Sequence, residues 1–168
     1  VISTPIAEAA IVGVSNGMAL AGVRPVAEVM FADFATLAAD QLINFAAKFH
    51  AMYGGKVVCP LTVRLVSGGG RGYGPTHSQC LESLFCGVPG LRVVALSRRH
   101  DPGALLGLAV THDDAPKVFV ENKLLYPLRP ADSPPPDLVT VPTRRENGSY
   151  PPLCYAPQRG AADVTLVT

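Results

Sequence analysis

The sequence has no tryptophan, and no run of Lys or Arg interrupts its even charge: 14 basic residues against 13 acidic ones give a formal charge of +1. A surface built for nucleic acid shows as a basic patch, so this balance argues against a nucleic-acid partner. No apolar stretch approaches the roughly eighteen residues of a membrane span. The opening VISTPIAEAA also lacks the charged-then-apolar layout of a secretion signal. No membrane association is expected, and a reducing cytoplasm is the expected location. Cys59, Cys80, Cys86 and Cys154 form no C-x-x-C pair, which argues against zinc and disulfide frameworks and reads as buried free thiols. Apolar residues are abundant, at 48% of 168 residues. At this length a chain can bury about 70% of the surface it exposes when unfolded, so a core is feasible without staples.

Proline is unevenly spread: 9 of 16 fall between Pro127 and Pro157. Residues 1–126 therefore read as a patterned domain and 127–161 as an extended linker, with polyproline character around Pro134, Pro135 and Pro136. Asn147-Gly148-Ser149 within it reads as a plain turn. The chain opens without an initiator Met at the edge of a helix-like segment. It closes on ADVTLVT (162–168), which reads as the first strand of a truncated further domain. A fragment of a longer protein is the expectation.

Within 1–126 short apolar strands alternate with helical patterns. Thr4 and Pro5 read as the N-cap and first residue of a helix through Ala21, stopped by Gly22. RPVAEVMFADF (24–34) reads as a strand. In 35–53, Leu37, Leu42, Phe45, Phe49 and Met52 recur at helical spacing before Gly54-Gly55. A strand over 56–67 is interrupted by Pro60, and a glycine-rich loop over 68–75 leads to a helix over 77–87 with Leu81, Leu84 and Phe85 on one face. A strand over 91–97, a helix over 101–112 and a strand over 117–126 follow. This alternation implies an α/β fold, a mostly parallel sheet with helices on both faces and ligands at the strands' carboxyl ends.

Three residues carry chemical interest. Glu8 lies in a helix otherwise made of small and apolar residues. Either it favours the positive end of the helix dipole, or packing hides it from water and raises its pKa, so that it can share a proton with a ring nitrogen. Phe34 follows a strand end, where it could offer an aromatic face to a flat ring, while Phe31 reads as core. His77 stands where the glycine-rich loop becomes a helix, whose N-terminus would keep the imidazole neutral and ready to accept a proton. GVSNG (13–17) matches a nucleophile-elbow pattern, with Asp33, Asp40 and His77 downstream. Ser15, however, falls in mid-helix, where an elbow cannot form. Gly13 and Gly17 instead suit close approach of another helix.

TPIAEAAIVG (4–13), RPVAEVMFADF (24–34), DQLINFAAKFHAMYGG (40–55), THSQCLESLFCGVPGLRVV (76–94) and VFVENKLLY (118–126) occur in an order and spacing that resembles the pyrimidine-binding domain of the β subunit of thiamine-diphosphate-dependent 2-oxoacid dehydrogenases (E1 components). The resemblance implies the thiamine-diphosphate-binding fold, lacking its first strand and helix. It places Glu8 on the glutamate that hydrogen-bonds the aminopyrimidine ring and promotes its imino tautomer. Phe34 falls where an aromatic residue packs on the pyrimidine, and His77 on a histidine associated with acyl transfer to the lipoyl arm. It also implies an α-type partner, because no GDG…N segment for Mg2+ and diphosphate is present. A lipoyl domain of an acyltransferase and oligomerisation through packed helices follow from the same likeness. A structural potassium ion in some members corresponds here to Leu61, Thr62, Val110, Asp113 and Ala115, in a loop about one residue longer and with Ala115 where Asn is usual. Related readings are a fragment of a transketolase or deoxyxylulose-phosphate synthase type enzyme, and a non-catalytic interaction module.

Overall fold

The computed structural model describes residues 1–131, 133–141 and 150–160. Four parallel strands, β1 (Val26–Val29), β2 (Thr62–Ser67), β3 (Arg92–Ala95) and β4 (Lys117–Asn122), form a sheet in the order β1-β2-β4-β3. The central pair, β2 and β4, is buried almost throughout, as expected of the middle of a parallel sheet covered on both faces. Alternation along β4 separates two cores. Val118 and Val120 join the larger one with Val12 and Ala19 of α1 (Glu8–Leu20), while Phe119 packs with Val94 and with Leu105 and Ala109 of α4 (Pro102–Thr111). Asp101 caps α4 by accepting from the Ala104 amide at 3.1 Å, with Pro102 as its first residue.

Several elements are shorter than their apolar patterns imply. Helix α1 opens at Glu8 behind Ala7, which offers no side-chain cap. Residues 1–7 are exposed, so an extra turn from Thr4 would order backbone without burying anything in return. The helix expected over 35–53 is three pieces: a 3-10 segment Ala32–Ala38, a π segment Gln41–Ala46 and α2 (Phe49–Met52). The stripe that reaches the core runs through Ala35, Ala38, Leu42, Ala46 and Phe49, whereas Leu37, Phe45 and Met52 face water. Small side chains allow the close approach, and the larger apolar ones are left outside. Gly13 takes part in this packing, since a Cβ there would lie 3.2 Å from Oε1 of Gln41, but Gly17 has open space around it.

The expected strand over 56–67 begins only at Thr62, after Pro60, which has no amide hydrogen for a ladder. The expected helix over 77–87 is reduced to a 3-10 turn, Pro75–His77, and a single turn α3 (Ser83–Cys86). The backbone between them is committed elsewhere: the Gln79 amide donates to Asp33 at 3.3 Å and Arg71 donates to the His77 carbonyl at 2.7 Å. All four cysteines are free thiols, but only Cys59 is buried; Cys80, Cys86 and Cys154 are exposed. Gly90 (φ +89°), before β3, packs so closely on the Ala47 carbonyl that any Cβ would collide with it.

Part of the proline-rich segment is structured. β5 (Leu138–Val141) and β6 (Cys154–Pro157) pair antiparallel instead of forming an extended linker throughout. The expected turn at 147–149 and strand at 162–168 lie outside the described residues. Across the main sheet, Arg64 of β2 makes a bidentate pair with Glu121 of β4 (2.7 and 2.8 Å) and reaches Glu28 of β1 at 3.3 Å. Tyr126 completes the group by donating to Glu121 at 2.6 Å. No helix among the described residues is long and apolar enough to cross a membrane.

Candidate functional site

The carboxyl ends of β1 and β2 bring together two segments far apart in sequence. β1 leads into Phe31 and the 3-10 segment bearing Asp33 and Phe34; β2 leads into the glycine-rich loop and His77. Phe34 and His77 meet edge to face, with ring centroids 5.1 Å apart and planes at 84°. Phe31, expected in the core, is half-buried and also meets His77 edge-on at 5.3 Å, with Tyr73 5.7 Å away. Geometry of this kind lets the positive ring edge face the negative π surface.

His77 ends a three-residue turn instead of starting a helix. The field of a helix N-terminus therefore does not act on its ring, which corrects the expectation above. Its Nδ1 lies 3.0 Å from the Thr76 hydroxyl, and Nε2 has no hydrogen-bond partner among the described residues. Asp33 is only 7% exposed; its Oδ1 accepts from the Gln79 side chain at 2.8 Å, while its Oδ2 is buried without a partner. Arg71 lies over both Phe31 and Tyr73, its guanidinium carbon 5.0 and 5.2 Å from their centroids.

Glu8 is the first residue of α1 and is 9% exposed, with no hydrogen bond or ion pair among the described residues. Helix α1 packs on the 3-10 segment that carries Phe34. The structure thus joins Phe34 directly to His77 and sets Glu8 on the neighbouring element, without a polar contact to either. Ser15 donates to the Ile11 carbonyl at 2.8 Å in mid-helix, as its placement outside a nucleophile elbow requires. Sequence reasoning passed over Arg71 and Tyr73, although their position among glycines at the head of the THSQ block marked a loop able to fold back on β1.

Several of the oxygens expected around potassium are engaged by groups of the chain itself. Lys117 Nζ, fully buried, donates to the carbonyls of Ala109 at 2.8 Å and Asp113 at 2.7 Å. Arg24 donates to the carbonyls of Val110 and Asp113 and to the Asp114 carboxylate. The Leu61 carbonyl accepts from the Lys117 amide at 2.9 Å, and Asp113 Oδ1 takes the Ala115 amide at 3.0 Å and Arg92 at 3.0 Å. Only the Thr62 hydroxyl is buried and unpartnered. Adding a cation beside Lys117 and Arg24 would meet like-charge repulsion in a poorly screened interior, so this donor set does not fit potassium. No group of acidic, His and Cys residues able to hold a metal occurs among the described residues.

A separate cavity of about 380 Å³ opens at the carboxyl ends of β3 and β4, lined by Leu96, His100, Phe119, Glu121 and Tyr126 among others. Burial lowers the His100 pKa. Burial, with hydrogen bonding to Glu121, pushes Tyr126 up to about 12. None of Glu8, Phe34 and His77 lines this cavity.

Residues 1–129 match the family described as transketolase, pyrimidine binding domain. The β subunit of acetoin:2,6-dichlorophenolindophenol oxidoreductase from Cupriavidus necator is 44% identical over 127 residues, covering 76% of this chain and 37% of that protein. The 2-oxoisovalerate dehydrogenase subunit beta of Pseudomonas aeruginosa is 44% identical over 126 residues, covering 75% and 36%. The pyruvate dehydrogenase E1 component subunit beta of Rickettsia conorii is 42% identical over 126 residues, covering 75% and 38%. The matched part of the chain thus spans well under half the length of these relatives.

Proposed function

The chain belongs to the transketolase pyrimidine-binding domain family, and on that premise we propose that it is the β-subunit-like half of a thiamine-diphosphate-dependent 2-oxoacid dehydrogenase. The observation that carries the reading is Glu8, 9% exposed and without a hydrogen bond or ion pair among the described residues, on a helix packed against the segment of Phe34, which in turn touches His77. A carboxyl that no protein group engages is free to take its hydrogen bond from a ligand. An aminopyrimidine ring, with a basic nitrogen at its edge and a flat face, matches an acid and an aromatic platform, so these residues fit thiamine diphosphate.

In this reading Glu8 holds a proton between its carboxyl and the ring nitrogen, and Phe34 sets the plane of the ring. His77, its Nδ1 engaged by Thr76, moves a proton at Nε2 during acyl handover to a lipoyl domain of an acyltransferase partner. When bound, thiamine diphosphate supplies the electron sink that receives the bonding pair left as a 2-oxoacid loses CO2. The sequence contains no GDG…N segment, so Mg2+ and the diphosphate are assigned to an α-type E1 partner, and catalysis requires the pair. Higher assembly through packed helices is part of the proposal, with the exposed Val14 and the open space at Gly17 on α1 supporting a further contact there. A reducing, cytoplasmic setting accords with four free thiols, three of them exposed. Potassium forms no part of it.

The test is Glu8→Gln in the chain assembled with a GDG…N-bearing partner. The variant should keep the assembly and bind thiamine diphosphate, as followed by calorimetry, while hydrogen exchange at C2 of the bound cofactor falls by about 10²–10⁴-fold, the usual scale of general acid–base participation. Unchanged exchange removes Glu8 from the site.

A further inference from the structure

We propose that Arg71 forms an anion subsite beside His77, and that the substrate it selects is a 2-oxoacid carrying a second, distal carboxylate. This rests on the reading of the site as one that decarboxylates 2-oxoacids.

The guanidinium is fixed before any ligand arrives. Nε donates to the Gly68 carbonyl at 2.9 Å and Nη2 to the His77 carbonyl at 2.7 Å, while Phe31 and Tyr73 hold its plane. Those contacts account for two of its three nitrogens. The third, Nη1, is buried with no acceptor among the described residues, and no described carboxylate forms an ion pair with Arg71. Asp33, the nearby acid of the same cluster, turns one oxygen to Gln79 instead. Buried donors of a charged group normally find an acceptor, and a planar fork held in this way suits a carboxylate.

A route to that nitrogen is built into the loop. Tyr73, which covers the guanidinium, is 55% exposed, and it lies between Gly72 (φ +78°) and Gly74 (φ +77°), neither of which has any atom within 4 Å of a would-be Cβ. Outward rotation of this exposed ring is the movement by which, in the proposal, Nη1 becomes accessible to a ligand.

Chemistry decides which carboxylate of a substrate belongs there. The C1 carboxylate leaves as neutral CO2, its bonding pair remaining on the former carbonyl carbon, so its charge fades toward the transition state. A guanidinium clamped on it would stabilise the ground state more than the transition state and slow the step. A distal carboxylate keeps its charge throughout, so pairing with Arg71 positions the substrate without that penalty.

The experiment compares 2-oxoglutarate with 2-oxovalerate, which has the same number of carbons and no second carboxylate, in the full-length chain assembled with its diphosphate-binding partner and an artificial electron acceptor. The wild type should prefer 2-oxoglutarate in kcat/KM by about 10–100-fold, the scale of hydrogen bonds to a charged group. Arg71→Met should bring the ratio near one by lowering kcat/KM for 2-oxoglutarate. Arg71→Lys, which keeps the charge without the fork, should fall between. Calorimetry with glutarate and pentanoate on the same assembly supplies a readout independent of turnover: glutarate should bind, pentanoate should not, and Arg71→Met should remove the difference. A wild-type ratio at or below one, or a preference that survives Arg71→Met, overturns the subsite. Failure to turn over any 2-oxoacid refutes the enzymatic reading; glutarate binding that depends on Arg71 would still support the anion site, and its absence would refute that too.

Discussion

Lys117 offers the sharpest test of how the interior is held together. Its ammonium is fully buried, bonded to the Ala109 and Asp113 carbonyls and 3.9 Å from the Asp113 carboxylate. Burial lowers its pKa from 10.5 to about 8, with Asp113 opposing the shift. Below pH 8 both folded and unfolded chains carry the proton. Between about 8 and 10.5 only the unfolded chain does, so the unfolded state binds more protons and the free energy of unfolding rises with pH. At about 1.4 kcal/mol per pH unit, the interval amounts to about 3 kcal/mol. Lys117→Met cannot show this rise, although it takes the side-chain donor from the buried Ala109 carbonyl, Asp113 keeping Arg24, and is less stable at pH 7 by about 1–3 kcal/mol. Urea unfolding of both proteins from pH 7 to 10.5 exposes the effect: the opposing titration of Tyr126 cancels in the difference, and that of Cys59, whose thiol feels the Lys117 charge, cancels only in part. The stability difference between wild type and variant should grow with pH by up to about 3 kcal/mol, equally in potassium and sodium chloride. A flat or falling difference would refute the buried-cation argument, and stabilisation specific to potassium would show that the ion binds after all.

His77→Ala should spare decarboxylation measured with an artificial acceptor while lowering lipoyl acylation by about 10²-fold or more, the scale of lost proton transfer; equal loss in both assays contradicts a role in handover. Gly90→Ala should destabilise the fold by more than about 1 kcal/mol, because the left-handed backbone and the Ala47 carbonyl both exclude a side chain; Gly87→Ala, three residues earlier and in open space, should not. Comparable midpoints in thermal unfolding for the two variants would contradict that difference.

The parallel sheet and the covering helices were legible because short apolar runs, Leu65 and Val66 in β2 and Val118 to Val120 in β4, alternate with segments of helical spacing. Element lengths were not, since they depend on tertiary partners. The amide of Gln79 serves Asp33 instead of a helix, and alanines rather than Phe45 and Met52 face the core because the segment lies too close for larger groups. Glu8 stood out as an acid in a helix of small apolar residues, Phe34 by its place past a strand end, and His77 by its place at the end of the glycine-rich loop. Arg71 could not be singled out in the same way: a glycine-rich loop gives no periodicity, and only its folding back over Phe31 sets the guanidinium beside the histidine. The potassium expectation meets a donor set that does not suit it, for a different reason. The sequence supplied the oxygens, but whether they face an ion or a lysine stem is fixed by the path of a side chain from β4, which no local pattern encodes.

The three-strand bracket of Glu28, Arg64 and Glu121 bears on how β1, at the margin of the sheet, keeps its alignment. A slip of one residue would swap its inward alanine and outward glutamate, stranding a carboxylate among aliphatic groups and depriving the guanidinium of one counter-charge. The bracket thus acts as a proofreader of pairing, penalising the misaligned neighbour before packing beneath it has to. By placing charge along an otherwise adhesive border, it also discourages stray strands from annealing there.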